Sequence, residues 1–167
     1  MTAQLPPLDP REYRRTIGLF ATGVTVILTG SDGDIRGMTA NSVTSLSLDP
    51  LLILFCVEKK AHFADVLQQQ NSFTINILGR NQEALSNYFA GFWKPDAPPP
   101  QFEFVPWHGS ARLQDCMAAI SCEIDQFLEG GDHWIVIGRV IALHKPDDLP
   151  DDPLIFFRGQ YRSLTQP

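Results

Sequence analysis

The chain lacks basic runs and long apolar runs. Its 167 residues hold 13 Lys and Arg against 19 Asp and Glu, a formal net charge of −6 at pH 7. Without a basic run, neither nucleic acid nor an anionic membrane surface is expected as a partner. No apolar run approaches the roughly 18 residues of a membrane helix. The N-terminus has neither the basic nor the apolar region of a signal peptide, so a cytoplasmic location is expected.

Cysteine and histidine are also scarce. The three cysteines, Cys56, Cys116 and Cys122, form no C-x-x-C pair, and an odd number argues against a disulfide framework. The four histidines are scattered and show no zinc-ligand spacing, so no metal is expected. The sequence has no G-x-G-x-x-G, P-loop, H-E-x-x-H or G-x-S-x-G motif, which argues against a Rossmann site and the common hydrolase and NTPase signatures.

What is present indicates one mainly β domain over residues 1–167, with its core over about 11–162. Apolar and β-branched runs predict strands at residues 24–28, 35–41, 51–57, 73–78, 117–127, 133–143 and 154–157. Three short helices are predicted, one from Pro10 to near Gly23 and two at residues 63–70 and 82–89. Short strands at this spacing favour a closed antiparallel β-barrel with the helices outside, because closure removes the sheet edges.

Residues 37–50 combine small hydroxyl and amide side chains with apolar strands on both sides. This composition predicts a strand that leads, after Asn41, into a loop with many free N–H and O–H donors. Such donors suit a polyhydroxylated ligand that carries a phosphate. A surface turn rich in Ser and Thr is the alternative that composition leaves open.

This segment, Gly37-Met38-Thr39-Ala40-Asn41-Ser42-Val43-Thr44-Ser45-Leu46-Ser47-Leu48-Asp49-Pro50, resembles the flavin-binding signature of the flavin reductase family, whose fold is the FMN-binding split barrel. Three further motifs of that family follow in order. They are the strand after the signature, a Gly-Asp-His strand and a Phe-Arg-Gly-x-Tyr ending, matched by residues 51–57, 131–140 and 154–161. The resemblance is closest to the reductase components of two-component flavin monooxygenases.

The resemblance implies an NAD(P)H-dependent flavin reductase that transfers hydride from nicotinamide to FMN or FAD. It implies NADH as the reductant, with NADPH as the alternative, a homodimer, and a partner oxygenase that receives reduced flavin. In this interpretation the cofactors carry the chemistry, and the protein supplies binding and orientation. The alternatives are an electron carrier that keeps its flavin, and a non-catalytic split barrel that binds flavin or haem.

The resemblance also implies a role for each matched residue. His133 would lie beside the flavin and the nicotinamide, which makes it the candidate catalytic residue. The residues implied to bind the cofactors are Met38, Thr39, Ala40 and Asn41 along the ring and ribityl chain, Ser45, Ser47, Cys56, Val57, Glu58, Lys59 and Lys60 toward the ribityl chain and phosphate, and Arg158 and Tyr161 at the barrel mouth.

The charged and aromatic candidates each have a structural interpretation as well. A single histidine on a strand, such as His133, is more often structural than catalytic. Lys59 and Lys60 also fit a solvated turn, and Arg158 and Tyr161 fit an exposed pair.

One segment departs from the family pattern. Residues 61–63 read Ala-His-Phe, where relatives often carry a Ser-x-Thr pair. Two hydroxyls that would contact the phosphate or the ribityl chain are therefore missing, with His62 as a replacement for one of them. The choice between FMN and FAD stays open for this reason.

Overall fold

The computed structural model describes residues 7–148 and 152–164. The predicted domain limits, residues 1 and 167, lie outside this part of the chain. The helices are α1 (Pro10–Ile17), α2 (His62–Leu67) and α3 (Glu83–Phe89). The strands are β1 (Thr22–Gly23), β2 (Thr25–Thr29), β3 (Arg36–Ala40), β4 (Val43–Leu48), β5 (Leu51–Glu58), β6 (Ser72–Ile77), β7 (Phe104–Trp107), β8 (Ser110–Leu113), β9 (Ala118–Gly130), β10 (His133–His144), β11 (Ile155–Phe157) and β12 (Gln160–Arg162). Among the described residues, no helix is long and apolar enough to cross a bilayer.

Seven strands form one antiparallel sheet in the order β3-β2-β6-β9-β10-β5-β4. The mainly β class predicted from the sequence is therefore confirmed. The closed barrel is not, because no ladder joins β3 to β4 within the described residues. Each of these edge strands pairs on one side only, β3 with β2 and β4 with β5. Only Asn41 and Ser42 connect them, so the two edges begin close together in space.

The core lies on both faces of the sheet. Strand β2 is buried on both of its faces, which explains why its central residues are continuously apolar. Ile27 packs into one hydrophobic cluster with Phe55 and Phe73, whereas Val26 and Leu28 pack into a second cluster on the opposite face. Side chains alternate between the two faces of a strand, and all five residues of β2 are buried. Helix α2 covers the first cluster and α3 covers the second.

Helix α1 ends earlier than its sequence predicts. The predicted end near Gly23 is wrong, because the helix closes at Ile17 and Gly18 is its C-cap. The Gly18 amide donates to the Arg14 carbonyl, and the Phe20 amide then donates to the Ile17 carbonyl in a tighter turn. The chain next extends into β1, which pairs with β11. No residue of α1 is buried.

The predicted loop after Asn41 is also wrong, because this segment forms β4. Its residues pair with β5 from Val43 opposite Phe55 to Leu48 opposite Leu51, with an irregularity between Ser45 and Ser47. Ser and Thr tolerate an edge strand because their hydroxyls face solvent there, and the burial pattern of β4 is mostly exposed.

Candidate functional site

A cavity of about 880 Å3 lies where the large sheet meets α1 and the C-terminal hairpin, which we define as residues 155–162. The cavity walls are apolar and include Ile53, Ile75, Ile77 and Ile120. The polar lining residues are Thr22, Thr25, Asn41, Ser42 and Thr44, and Arg14 is the one charged lining residue in the part of the chain that the structure describes. Two smaller depressions, of about 530 and 200 Å3, are lined by none of the predicted site residues.

The connection between β3 and β4 is held rigidly at the rim of this cavity. The Asn41 amide group donates to the Thr22 hydroxyl at 3.2 Å. The Ser42 hydroxyl donates to the Cys56 carbonyl and accepts from the Cys56 amide, both at 3.2 Å. Because Asn41 is bonded to β1 and Ser42 to β5, the connection is tied to two neighbouring strands. Asn41 is the member of the predicted signature set that lines the cavity.

The other predicted signature residues lie outside the cavity lining. Met38 packs against the first core cluster and Ala40 is buried within it. The Thr39 hydroxyl donates to the carbonyl of Ser86 on α3 at 2.6 Å. Ser45 and Ser47 lie on β4, opposite Ile53 and Leu52 of β5. The structure therefore divides the predicted set instead of gathering it in one place.

A second group of predicted residues meets where β5 ends beside the start of β10. His133 and Glu58 are register partners, as are Val57 and Trp134. The His133 Nδ1 lies 2.8 Å from an Asp132 carboxylate oxygen. This hydrogen bond is the main cause that lowers the pKa of Asp132 below its ordinary value. An ionised carboxylate can only accept, so Nδ1 carries the hydrogen and Nε2 remains for other contacts.

The two predicted lysines differ in their surroundings. The Lys59 Nζ lies 3.5 Å from a Glu129 carboxylate oxygen and 4.8 Å from the centre of the Trp134 ring. Lys60 is exposed. Lys59 thus has both an opposite charge and an aromatic face beside it, which satisfies much of its charge within the protein. Neither lysine lines the cavity.

The C-terminal hairpin places Arg158 and Tyr161 differently. Arg158 and Gly159 form its turn with φ of 53° and 74°, and the Arg158 amide donates to the Gly18 carbonyl at 2.8 Å. This bond brings the turn against the end of α1, where Gly159 lines the cavity. The Tyr161 hydroxyl instead points to α3, at 2.8 Å from the Ser86 hydroxyl and 3.1 Å from the side-chain Oδ1 of Asn87.

Sequence reasoning missed several residues of the cavity. The wall isoleucines carry no signal that separates a cavity wall from an ordinary core. Arg14 did carry a signal, because it lies three and four positions before Ile17 and Gly18 and shares their helix face. A basic residue in the last turn of an amphipathic helix, on the face that leads into the next strands, is the pattern that would have identified it.

The chain matches the family model described as "Flavin reductase like domain" over residues 17–165. It is similar to the flavin-dependent monooxygenase reductase subunit HsaB of Rhodococcus jostii strain RHA1, with 34% identity over 94% of this chain and 79% of that protein. Among solved structures it is similar to flavin reductase PheA2 in its native state, with a TM-score of 0.87, 38% identity, and coverage of 95% of this chain and 100% of that chain.

A third similar protein was solved with ligand fragments bound. It is the NADH:FAD oxidoreductase SgcE6 of Streptomyces globisporus C-1027, in complex with NAD and FAD fragments. The TM-score is 0.80 with 33% identity, and the match covers 95% of this chain and 96% of that chain.

Proposed function

The chain belongs to the flavin reductase-like domain family, and we propose that it is an NAD(P)H-dependent flavin reductase acting on free FMN or FAD. NADH is the proposed reductant, as it is for the similar NADH:FAD oxidoreductase. The similar protein HsaB is the reductase subunit of a flavin-dependent monooxygenase. We therefore propose that this chain delivers reduced flavin to a separate oxygenase.

The observation that carries the proposal is the composition of the cavity. An apolar wall with a polar rim suits a flat, partly apolar ring that bears a polar chain. The volume of about 880 Å3 falls in the range of roughly 300–1,000 Å3 that ligand pockets occupy. The isoleucine wall would exclude water from the ring, and the Asn41–Ser42 connection would direct backbone and side-chain groups toward it.

The cofactors, when bound, supply the chemistry, which is the transfer of a hydride from the nicotinamide C4 to the flavin N5. The protein must hold these two atoms roughly 3–3.5 Å apart. No general acid or base is needed for the hydride itself. Within the proposal, His133 orients the nicotinamide, and Asp132 fixes the ring of His133 through the bond to Nδ1.

Three finer assignments belong to the same proposal. The sheet is proposed to be a split barrel, since its edges β3 and β4 are joined by two residues only. The homodimer and the cytoplasmic location predicted from the sequence also remain proposals. A single domain over the whole chain is proposed because one family model spans residues 17–165.

The test is the oxidation of NADH or NADPH, followed at the nicotinamide absorbance band with and without added FMN or FAD. Rapid oxidation that requires free flavin is expected, and the four combinations give both preferences. Oxidation that proceeds only with copurified flavin and ignores free flavin would favour an electron carrier. No oxidation with any combination would refute the reductase.

His133→Ala tests the proposed catalytic residue in the same assay. We expect slower flavin reduction with only a small fall in the thermal midpoint, because the His133 side chain is 44% exposed and its hydrogen bond to Asp132 is open to solvent. His144→Ala is the matched control, since His144 lies at the opposite end of the same strand from His133. Equal turnover of the two variants and the parent protein would remove His133 from the mechanism.

A further inference from the structure

The charge of the cavity lining is confined to one side chain. Among the described residues, Arg14 is the one ionisable residue that lines the cavity, and no described Asp or Glu joins it there. We propose that Arg14, together with Arg158, binds the phosphate group of a cofactor at the α1 end of this cavity. The proposal rests on the proposed function and deepens it, because it assigns the residues that recognise the anionic part of the ligand.

The helix geometry directs Arg14 toward the cavity. Ile17 and Gly18, three and four positions later, both line the cavity, and residues at these spacings share one face of a helix. Arg15 is one position on, turned by about 100° around the helix axis, and it does not line the cavity. The chain thus carries two neighbouring arginines of which one is placed to contact a ligand.

The charge of Arg14 is available to a ligand. Its guanidinium makes no ion pair or side-chain hydrogen bond within residues 7–148 and 152–164. The end of a helix is normally negative because its last carbonyls lack partners. Here the carbonyls of Arg14, Thr16, Ile17 and Gly18 accept backbone amides at 2.8–3.1 Å, which reduces the repulsion that the helix end exerts on an anion.

The backbone of a second basic residue, Arg158, lies against the end of α1. The Arg158 amide donates to the Gly18 carbonyl, which fixes the turn of the C-terminal hairpin against the last turn of α1. The other turn residue, Gly159, lines the cavity. Guanidinium groups bind phosphate and pyrophosphate through paired hydrogen bonds, and the backbone position of Arg158 is the reason that we include it with Arg14 in the proposal. In a chain of net charge −6, this placement of positive charge is local.

The alternative cation is Lys59, which the sequence proposed as a phosphate ligand. Its ammonium group lies beside Glu129 and over the ring of Trp134, away from the cavity lining. A phosphate bound there would compete with the Glu129 carboxylate for the Lys59 ammonium group. Arg14 has no such competing carboxylate in the described part of the chain.

The test compares dissociation constants of FMN and riboflavin, which differ only by the phosphate, measured by the change in flavin fluorescence. One charge-assisted hydrogen bond corresponds to about a tenfold change in affinity. Arg14→Gln should raise the dissociation constant of FMN about tenfold. The dissociation constant of riboflavin should stay within about twofold of the parent value. Arg15→Gln is the matched control and should leave both ligands unchanged. Because α1 buries no residue, the thermal midpoint of either variant should equal that of the parent.

A second arm identifies the source of the phosphate, using ADP-ribose, which carries the pyrophosphate of NADH without the nicotinamide. Weaker binding of FMN by Arg14→Gln would assign the subsite to the flavin. Weaker binding of ADP-ribose with unchanged binding of FMN would assign it to the nicotinamide cofactor. Unchanged FMN and ADP-ribose, or an equal loss of FMN and riboflavin, would overturn the proposal. A parent protein that binds none of the three ligands would refute the proposed function itself, and this subsite with it.

Discussion

Tyr161→Phe separates a structural role of this residue from the cofactor contact that the family resemblance implies. The substitution removes a hydroxyl that bonds the Ser86 hydroxyl at 2.8 Å and donates to the side-chain Oδ1 of Asn87 at 3.1 Å. It keeps the ring, which packs edge-on against Phe156 at 5.6 Å between ring centres. A change in stability would therefore report the two hydrogen bonds and little else.

The magnitude follows from the surroundings of the two partners. Each bond contributes about 0.5–1.5 kcal/mol net, and a buried partner left unsatisfied costs about 1–3 kcal/mol. Ser86 is fully buried, so water cannot replace its lost bond, whereas half-buried Asn87 can turn to solvent. We expect a loss of about 1–2 kcal/mol in the free energy of unfolding, and a fall in Tm of about 2–4 °C for each kcal/mol.

The assay is urea unfolding of the parent, Tyr161→Phe, Ser86→Ala and the double variant, with FMN binding measured on each. The structure predicts that Ser86→Ala and Tyr161→Phe are not additive, because they remove the same bond. Ser121→Ala is the matched control, since its hydroxyl is buried and has no hydrogen-bond partner within the described residues. A Tyr161→Phe variant with parental stability but weaker flavin or nicotinamide binding would refute the structural role.

Three further expectations follow from individual contacts. Gly138→Ala should destabilise by about 1–3 kcal/mol in urea unfolding, because its new methyl group would lie 2.8 Å from the Cys122 Cβ. In maleimide labelling at pH 7, half-buried Cys56 should react before Cys122, whose pKa burial raises to about 12. The lowered pKa of Asp132 means that its carboxylate stabilises the fold above the ordinary Asp pKa of about 4 and loses this effect as the pH falls through the lowered value. We therefore expect the difference in Tm between the parent and Asp132→Asn to be smaller at pH 3 than at pH 7.

The elements that sequence patterns predicted correctly are those whose own residues carry a local signal, such as an apolar run or a turn motif. The apolar run at residues 51–57 is β5, and the Asp32–Gly33 turn joins β2 to β3 with positive φ at both residues. The two strands predicted at residues 117–127 and 133–143 are the long hairpin of β9 and β10. Each of these signals is local, since periodicity and turn chemistry depend on neighbours along the chain.

The parts that sequence could not predict depend on partners distant along the chain. Strand β4 forms because β5 pairs with it, although its Ser and Thr residues favour a turn when read alone. Thr39 and Tyr161 both carry free hydroxyls in the sequence, and both are engaged by Ser86, 47 and 75 positions away. Hydroxyl groups that look available to a ligand in sequence are available only if the fold leaves them unpaired.

The candidate site combines a wall formed by central strands with a rim formed by α1 and the C-terminal hairpin. The isoleucine wall belongs to central strands, where each side chain is held by pairing on both sides of its strand. The rim at α1 and the C-terminal hairpin depends on few contacts, among them the bond from the Arg158 amide to the Gly18 carbonyl. Because segments with little burial open at low free energy, the rim is the part that can adapt to different ligands. Discrimination between FMN and FAD, or between NADH and NADPH, is therefore expected to reside in rim residues such as Arg14, while the wall sets the affinity for the ring.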